Sequence, residues 1–369
     1  MLGNIVTGCS VLAPAGMLGE LSSGLDVSIS TAGLLITFGA IMLCIGSPVT
    51  AWLTSRIERR ILLTVTLAVL AFTNFASAFA PDYTSLLIIR LVMLAVGVIY
   101  TPQAAGTAGL IVPEKKRGST IAYIFLGWSL AAAVGLPLIT FIASRYGWRA
   151  VYGGIGAMGC VSFLLLAWRL PRGLMGAPVD LKTWADIGRN RMIVLLLLIT
   201  TLHMSGQFVV FTFMGPLLAK LTGAGPDAIA LAFACYGVFG FIGIAVATSI
   251  VDSWGAWKTS VLFTALMLAG VTGWALSAGI YPLMVASVAI WGLGFASTNS
   301  MQQVRLVGTA PSLASASVSL NTSVLYIGQA VGSAIGGFLY ARDLLYAAGW
   351  VSAAFIALAL VTVILTRPK

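Results

Sequence analysis

His203 is the only histidine in a chain of 369 residues, and it stands inside an apolar run close to Ser205 and Gln207. Imidazole, with an ordinary pKa of about 6.5, takes and gives a proton near neutrality. The alternative is a hydrogen-bonded core histidine. Arg90 is the one basic residue well inside an apolar run. It lies about eight residues past Asp82, or roughly 12 Å along a helix. A guanidinium there is costly unless paired or wetted, so it marks a functional position by default. It could bias nearby proton binding or engage an anionic or polar ligand group; the alternative is snorkelling to an interface. The amides of Asn4, Gln103, Gln207, Asn299, Gln302 and Asn321 also fall in apolar runs. Such amides either hydrogen-bond a neutral polar ligand or join helices together. Phe208, Phe211 and Phe213 could wall a cavity or face other helices. Glu20 and Asp26 stand at the end of the first run, as a proton entry point or as an interfacial charge and a turn residue.

Other chemistries lack their residues. No Asp or Glu lies deep in any apolar run, although carboxylates are the commonest carriers in proton relays. Cys9, Cys44, Cys160 and Cys235 make no Cys-x-x-Cys pair and no metal spacing. With one histidine and no buried carboxylate, neither a nucleophile–base set nor a metal site is visible. No enzyme, cofactor or metal is expected, and no Walker motif points to an ATP-driven pump.

The elements that must position these residues are membrane helices. The chain is 59% hydrophobic and 8% charged, with a mean hydropathy of +1.03, whereas soluble domains run at about 25% charged. Runs long enough to span a bilayer occur near 2–19, 31–53, 61–80, 84–112, 120–143, 150–170, 192–218, 228–251, 260–279, 282–307, 318–340 and 344–366. These are numbered spans 1 to 12. Span 1 is short and begins at Met1, as expected of a shortened helix 1. The polar segment 171–191 reads as a linker between an N-terminal half, 1–170, and a C-terminal half, 192–369.

The net charge of +10 follows from topology. Arg56, Arg59, Arg60, Lys115, Lys116, Arg117, Arg169, Arg172, Lys182, Arg189, Arg191, Lys258, Arg305, Arg367 and Lys369 fall on one side of the spans. Arg145, Arg149, Lys220 and Arg342 fall on the other. By the positive-inside rule the first side, with both termini, is cytoplasmic. The basic excess faces lipid head groups, and nucleic acid is not needed to explain it.

The halves echo each other. In span 5, Gly127 and Gly135 precede Gly147-Trp148; in span 11, Gly328 and Gly336 precede Gly349-Trp350. Gln103 in span 4 has counterparts in Gln302 and Gln303 of span 10. Related halves with a site between them mark secondary transporters. Gly127, Ala131 and Gly135, like Gly328, Gly332 and Gly336, form small-residue stripes that permit close helix approach. These stripes read as a surface along which the halves meet.

Several stretches resemble the major facilitator superfamily. "MLGELSSGLDVSISTAGLLITFGAI" at 17–41 resembles the end of helix 1 and the opening of helix 2. "SPVTAWLTSRIERRILL" at 47–63 is similar to the loop 2–3 signature, with Arg56, Arg59 and Arg60 in place but Ser55 where an aspartate is usual. "LLIIRLVMLAVG" at 86–97 resembles the helix 4 arginine motif. "GWSLAAAVGLPLIT" at 127–140, holding Gly127, Gly135 and Pro137, resembles the helix 5 antiporter motif. The resemblance covers essentially the whole chain. It lies nearest the twelve-span drug:proton antiporters of the arabinose-efflux-like permease branch.

The resemblance implies an all-α integral membrane fold, with twelve transmembrane helices in two pseudo-symmetric six-helix bundles. It implies a monomeric multi-pass protein of the inner (cell) membrane whose cavity is lined by spans 1, 4, 7 and 10. The function it implies is proton-coupled export of a drug or sugar-like compound by alternating access. A proton-coupled importer of a small metabolite and a non-transporting sensor on the same fold remain open. The substrate and proton pathway is expected among Arg90, His203, Gln103, Gln207, Asn299 and Gln302. Because Ser55 replaces a carboxylate, the usual latch of the loop 2–3 motif is not expected to form there.

Overall fold

The computed structural model describes residues 1–54, 56–112, 117–175, 188–309 and 314–367, and every regular element among them is a helix. Residues 176–187 of the expected linker, and Ser55, lie outside the described residues. Eleven described helices are long and apolar enough to cross a membrane, and a bent pair makes the twelfth. Span 1 is this pair, Leu2–Gly16 and Leu18–Gly24, bent by 68°. Spans 2 to 4 are Ile29–Leu53, Arg59–Ala78 and Tyr83–Ile111. Span 5 runs from Arg117 to Tyr146 in three pieces, and span 6 is Trp148–Arg169. Span 7 is Arg191–Phe211, extended by a short helix Met214–Thr222. Spans 8 to 12 are Pro226–Trp254, Ala256–Leu276, Tyr281–Thr309, Ala314–Ala341 and Leu345–Leu365. Large apolar side chains such as Phe72, Leu164 and Leu365 point outward, as a lipid-facing surface requires.

Local chemistry sets the breaks. Gly147 (φ 82°) and Gly255 (φ 80°) open spans 6 and 9 in a conformation that suits glycine. Asn190 caps span 7, its Oδ1 accepting from the amides of Met192 (3.1 Å) and Ile193 (3.3 Å). Asp26 takes a positive φ of 53°, which places it in a turn between spans 1 and 2. In span 5, residues Ala131–Gly135 form a π-helical turn just before Pro137. Proline brings no amide to the helix ladder, and wider turns of this kind absorb the mismatch.

The glycine stripes face a different neighbour from the one expected. A Cβ at Gly127 would lie 2.6 Å from Met1 O, and one at Gly135 2.7 Å from Cys9 Sγ, both in span 1. A Cβ at Gly8 would lie 2.6 Å from Ala131 Cβ. In span 11, Gly328 sits against Thr201 O, Gly332 against Ser205 O and Gly336 against Val209 O, all in span 7. Each stripe therefore seats its helix on the first span of its own half. The seam between the halves uses other faces: Ala132 and Ala133 of span 5 press on Gly237 of span 8. Thr37 of span 2 shares a 2.8 Å hydrogen bond with Ser333 of span 11. The four-residue spacing correctly put the glycines on one face, but spacing does not say what covers a face.

Two ends can be distinguished. The basic face carries Arg56 and the start of span 7; the far face carries the turns at 80–83, 146–148 and 223–225. At the far face the halves are in contact. Leu18–Gly24 packs on Met214–Thr222, and Leu136–Tyr146 packs along span 8. Arg145 reaches Asp227 at 3.7 Å. Nearby, Lys220 Nζ donates to Asp343 Oδ1 at 3.0 Å, and this bond holds the ammonium above its ordinary pKa. One buried cluster joins both halves through Leu18, Leu35, Phe213, Phe233 and Trp291.

The seam gives a first test. Gly237→Leu forces a side chain into the span 5 backbone, and overpacking of this kind costs about 1–3 kcal/mol. We expect lost transport and a lowered thermal midpoint. Gly154→Ala, where an added Cβ meets nothing within 4 Å, should leave both unchanged. Transport assays and thermal unfolding of the two purified variants check this.

Candidate functional site

Span 1 carries Pro14 near its bend, and proline leaves the carbonyl four residues earlier without its usual amide partner. That carbonyl is Ser10 O, and Arg90 Nη1 donates to it at 3.0 Å. Arg90 Nη2 donates to Val11 O at 2.9 Å, and Nε donates to Leu35 O at 2.9 Å. The side chain is 1% exposed, and among the described residues no carboxylate lies within ion-pair distance of it. Arg90 therefore ties spans 1, 2 and 4 through main-chain carbonyls.

Asn4, Thr101 and Trp128 of the same half are matched as well. Asn4 Nδ2 donates to Ile124 O at 2.8 Å, and its Oδ1 accepts from Thr101 Oγ1 at 2.9 Å. Trp128 Nε1 donates to Thr101 Oγ1 at 3.0 Å. This network joins spans 1, 4 and 5. Gln103 is half-buried on span 4, two residues beyond Thr101.

Spans 7 and 10 differ. Gln207 is fully used: Nε2 donates to Tyr236 Oη at 2.6 Å, and Oε1 accepts from Trp291 Nε1 at 2.6 Å. Around it the rings of Phe211, Tyr236, Trp291 and Phe295 pack at centroid distances of 4.9 to 6.3 Å. Beside this aromatic group lies a cavity of about 10 Å³, roughly the room of one water. Thr200, His203, Met204, Phe295, Thr298, Asn299 and Gln302 line it. His203 Nε2 lies 3.1 Å from Thr264 Oγ1 of span 9. Gln302 is 0% exposed, and among the described residues neither its Nε2 nor its Oε1 has a partner; Asn299 Oδ1 has none either. A buried polar atom without a partner costs about 1–3 kcal/mol. Three such atoms at one cavity mark a place where something else supplies the bonds. Asn321 is matched: its Oδ1 accepts from Thr200 Oγ1 at 2.7 Å.

The structure thus gathers His203, Asn299 and Gln302 at one cavity, with Gln207 one turn from His203. It sets Arg90 and Gln103 apart in the N-terminal half. Arg56, Arg59 and Arg60 stand at the basic face, and Gly127, Gly135 and Pro137 serve span 5 packing. Arg60 Nη2 donates to Ala167 O at 2.6 Å, and the Arg59 amide donates to Leu174 O at 2.8 Å. Arg59 is buried, and among the described residues its Nε and Nη1 have no partner. The sequence reading missed Thr264, Tyr236 and Trp291 as partners. A tyrosine and a tryptophan deep in apolar runs were the available signal, because buried Oη and Nε1 groups need partners.

The sequence pattern that defines the Major Facilitator Superfamily matches residues 1–332 and 196–369. The chain belongs to the major facilitator superfamily. The inner membrane transport protein YdhP of Escherichia coli (strain K12) is 28% identical over 371 residues, covering 100% of this chain and 95% of that one. A probable sugar efflux transporter of Mannheimia succiniciproducens is 26% identical over 362 residues, covering 95% and 88%. Among solved structures, a D-xylose-proton symporter superposes with a TM-score of 0.77 at 17% identity, covering 100% of this chain and 96% of that one. At that identity the likeness concerns the fold. As a superfamily member the chain is a multi-pass membrane transporter of small molecules, not an enzyme.

Proposed function

We propose that this transporter exports a neutral, hydroxyl-bearing small molecule, drug or sugar-like, in exchange for protons, by alternating access. The supporting observation is the set of unpartnered amide atoms of Asn299 and Gln302, fully buried in the case of Gln302, beside His203. An amide offers one acceptor and two donors, which suits hydroxyl groups that both donate and accept. The adjoining Phe295 and Tyr236 rings give an apolar wall for the rest of the molecule. The efflux-named relative supports export.

In this reading residues 1–170 and 192–369 rock about the cavity, joined by 171–191. The basic face and both termini are cytoplasmic by the positive-inside rule. The described contacts then correspond to a state sealed on the outside by Leu18–Gly24, Met214–Thr222 and the Arg145–Asp227 pair. The protein works as a monomer.

The test is accumulation of a panel of labelled sugars and neutral drugs in expressing cells, with and without a protonophore. The expected result is lower accumulation of one or more compounds than in control cells, abolished by the protonophore. Export unaffected by the protonophore would refute the coupling, and uptake in place of export would refute the direction.

A further inference from the structure

We propose that Arg305 decides which sign of charge the pocket accepts, so that cationic molecules are rejected and neutral ones pass. The proposal rests on the reading of the Asn299–Gln302 pocket as the substrate site, and it names the residue that sets the selectivity of that site.

Arg305 stands apart from the other basic residues near the basic face. Arg56, Lys258 and Arg367 are exposed, as charges that face lipid head groups should be. Arg305 is 7% exposed. It lies on span 10, three residues beyond Gln302, so the two occupy successive turns of one helix face. Span 10 supplies Asn299 and Gln302 to the pocket. Arg305 is therefore one turn nearer the basic face than the pocket itself.

Its surroundings fix the guanidinium without cancelling its charge. Nη2 donates to Thr366 O at 2.9 Å and to Thr366 Oγ1 at 2.6 Å, at the end of span 12. Both acceptors are neutral. Nη1 is buried and has no partner among the described residues. The ion pairs among those residues, Arg145–Asp227 and Lys220–Asp343, lie at the far face. Arg90 makes the contrast: all three of its nitrogens donate to carbonyls, and it sits in the other half of the chain.

The charge is felt in the pocket. Arg305 is the one charged side chain acting on the His203 ring, which lines the cavity from span 7. The lining residues include no carboxylate, and every carboxylate among the described residues lies at a span end or in a turn. A cation entering the pocket thus meets a fixed like charge and no counter-charge. At the effective permittivity of partly buried sites, like charges one or two helical turns apart weaken binding roughly 10- to 100-fold. A hydroxyl group meets no such repulsion, and an acid group is attracted. Desolvation alone penalises either sign of charge, so a difference between an amine and an acid of the same skeleton isolates Arg305.

Two compound series provide the test: glucose, glucosamine and glucuronate; and chloramphenicol, its deacylated amine and its hemisuccinate. Dissociation constants are measured on purified full-length transporter at about pH 6, where the amines are protonated and the acids ionised. In the wild type, the amine is expected to bind more weakly than its neutral parent, and at least about tenfold more weakly than the acid. Arg305→Gln should bring amine and acid to within about threefold of each other, whereas Arg305→Lys should keep the gap. Loss of a structural brace would weaken every member alike, so the ratio reports the charge. A wild-type protein that binds amine and acid equally, or an Arg305→Gln protein that keeps the gap, overturns the proposal. If Arg305→Gln does not fold, Arg305→Met decides by the same ratio. Absence of binding by every compound refutes the hydroxyl-bearing substrate class, and the proposal falls with it. A bound neutral parent without an amine–acid gap refutes the proposal alone.

Discussion

Arg90→Ala is expected to lower the thermal midpoint of the purified transporter by roughly 4–10 °C, yet leave the KM of the surviving molecules within about twofold. The size follows from the bonds lost. Arg90 donates to Ser10 O, Val11 O and Leu35 O. Interhelical hydrogen bonds in membranes average about 0.6 kcal/mol and reach about 1.7, so three amount to about 2–5 kcal/mol. A large domain shifts by about 2 °C per kcal/mol. The Ser10 bond matters most, because Pro14 has already removed that carbonyl's helical partner. Arg90→Lys should recover part of the loss, since an ammonium reaches fewer of the three carbonyls at once. Thermal unfolding and export kinetics measured on the same preparations decide. An unshifted midpoint with abolished export would place Arg90 in the transport step, and its role as a brace would be wrong.

Much of this fold is legible in the sequence because the bilayer imposes a length and an apolarity on every span. The twelve runs correspond to the observed helices. Span 1 is where the reading fell short: Pro14 was the available signal for the 68° bend, which places Glu20 on a separate short helix. Periodicity identified the glycine stripes of spans 5 and 11 but assigned them to the seam between halves, when they face spans 1 and 7. A helical repeat fixes which residues share a face, and tertiary packing alone decides the neighbour.

The site shows the same division. Burial of His203 was readable from its apolar surroundings, whereas its partner Thr264 is 61 residues away. Gln207 and Gln302 are the same residue type in equally apolar runs. Only packing reveals that Tyr236 and Trp291 match the first and that nothing matches the second. Arg90 shows how a buried charge can be matched within the protein. The cost of burying it is met by main-chain carbonyls, and a sequence does not display which carbonyls of other helices a side chain reaches.

That contrast between the two glutamines gives the prediction with the clearest sign. Gln302→Met removes two buried atoms that have no partners and keeps a flexible side chain of similar length. Stability should rise by about 1 kcal/mol, since unpartnered buried groups each cost about 1–3 kcal/mol. Export should weaken: losing one or two hydrogen bonds to substrate, about 1.4–2.8 kcal/mol, raises KM roughly 10- to 100-fold. Gln207→Met should act oppositely on stability, because it strands Tyr236 Oη and Trp291 Nε1 in a buried aromatic group. That leaves one acceptor and one donor unpartnered and a loss of about 2–6 kcal/mol. Thermal midpoints of the two variants, with KM for the exported compound, test both signs. A Gln302→Met protein that is less stable than wild type would mean the amide has a structural partner. A more stable one with unchanged KM would mean the pocket is empty of substrate throughout the cycle. Opposite stability shifts with a raised KM for Gln302→Met would leave one physical account: this amide is held without a partner in the protein because its partner is the molecule being carried.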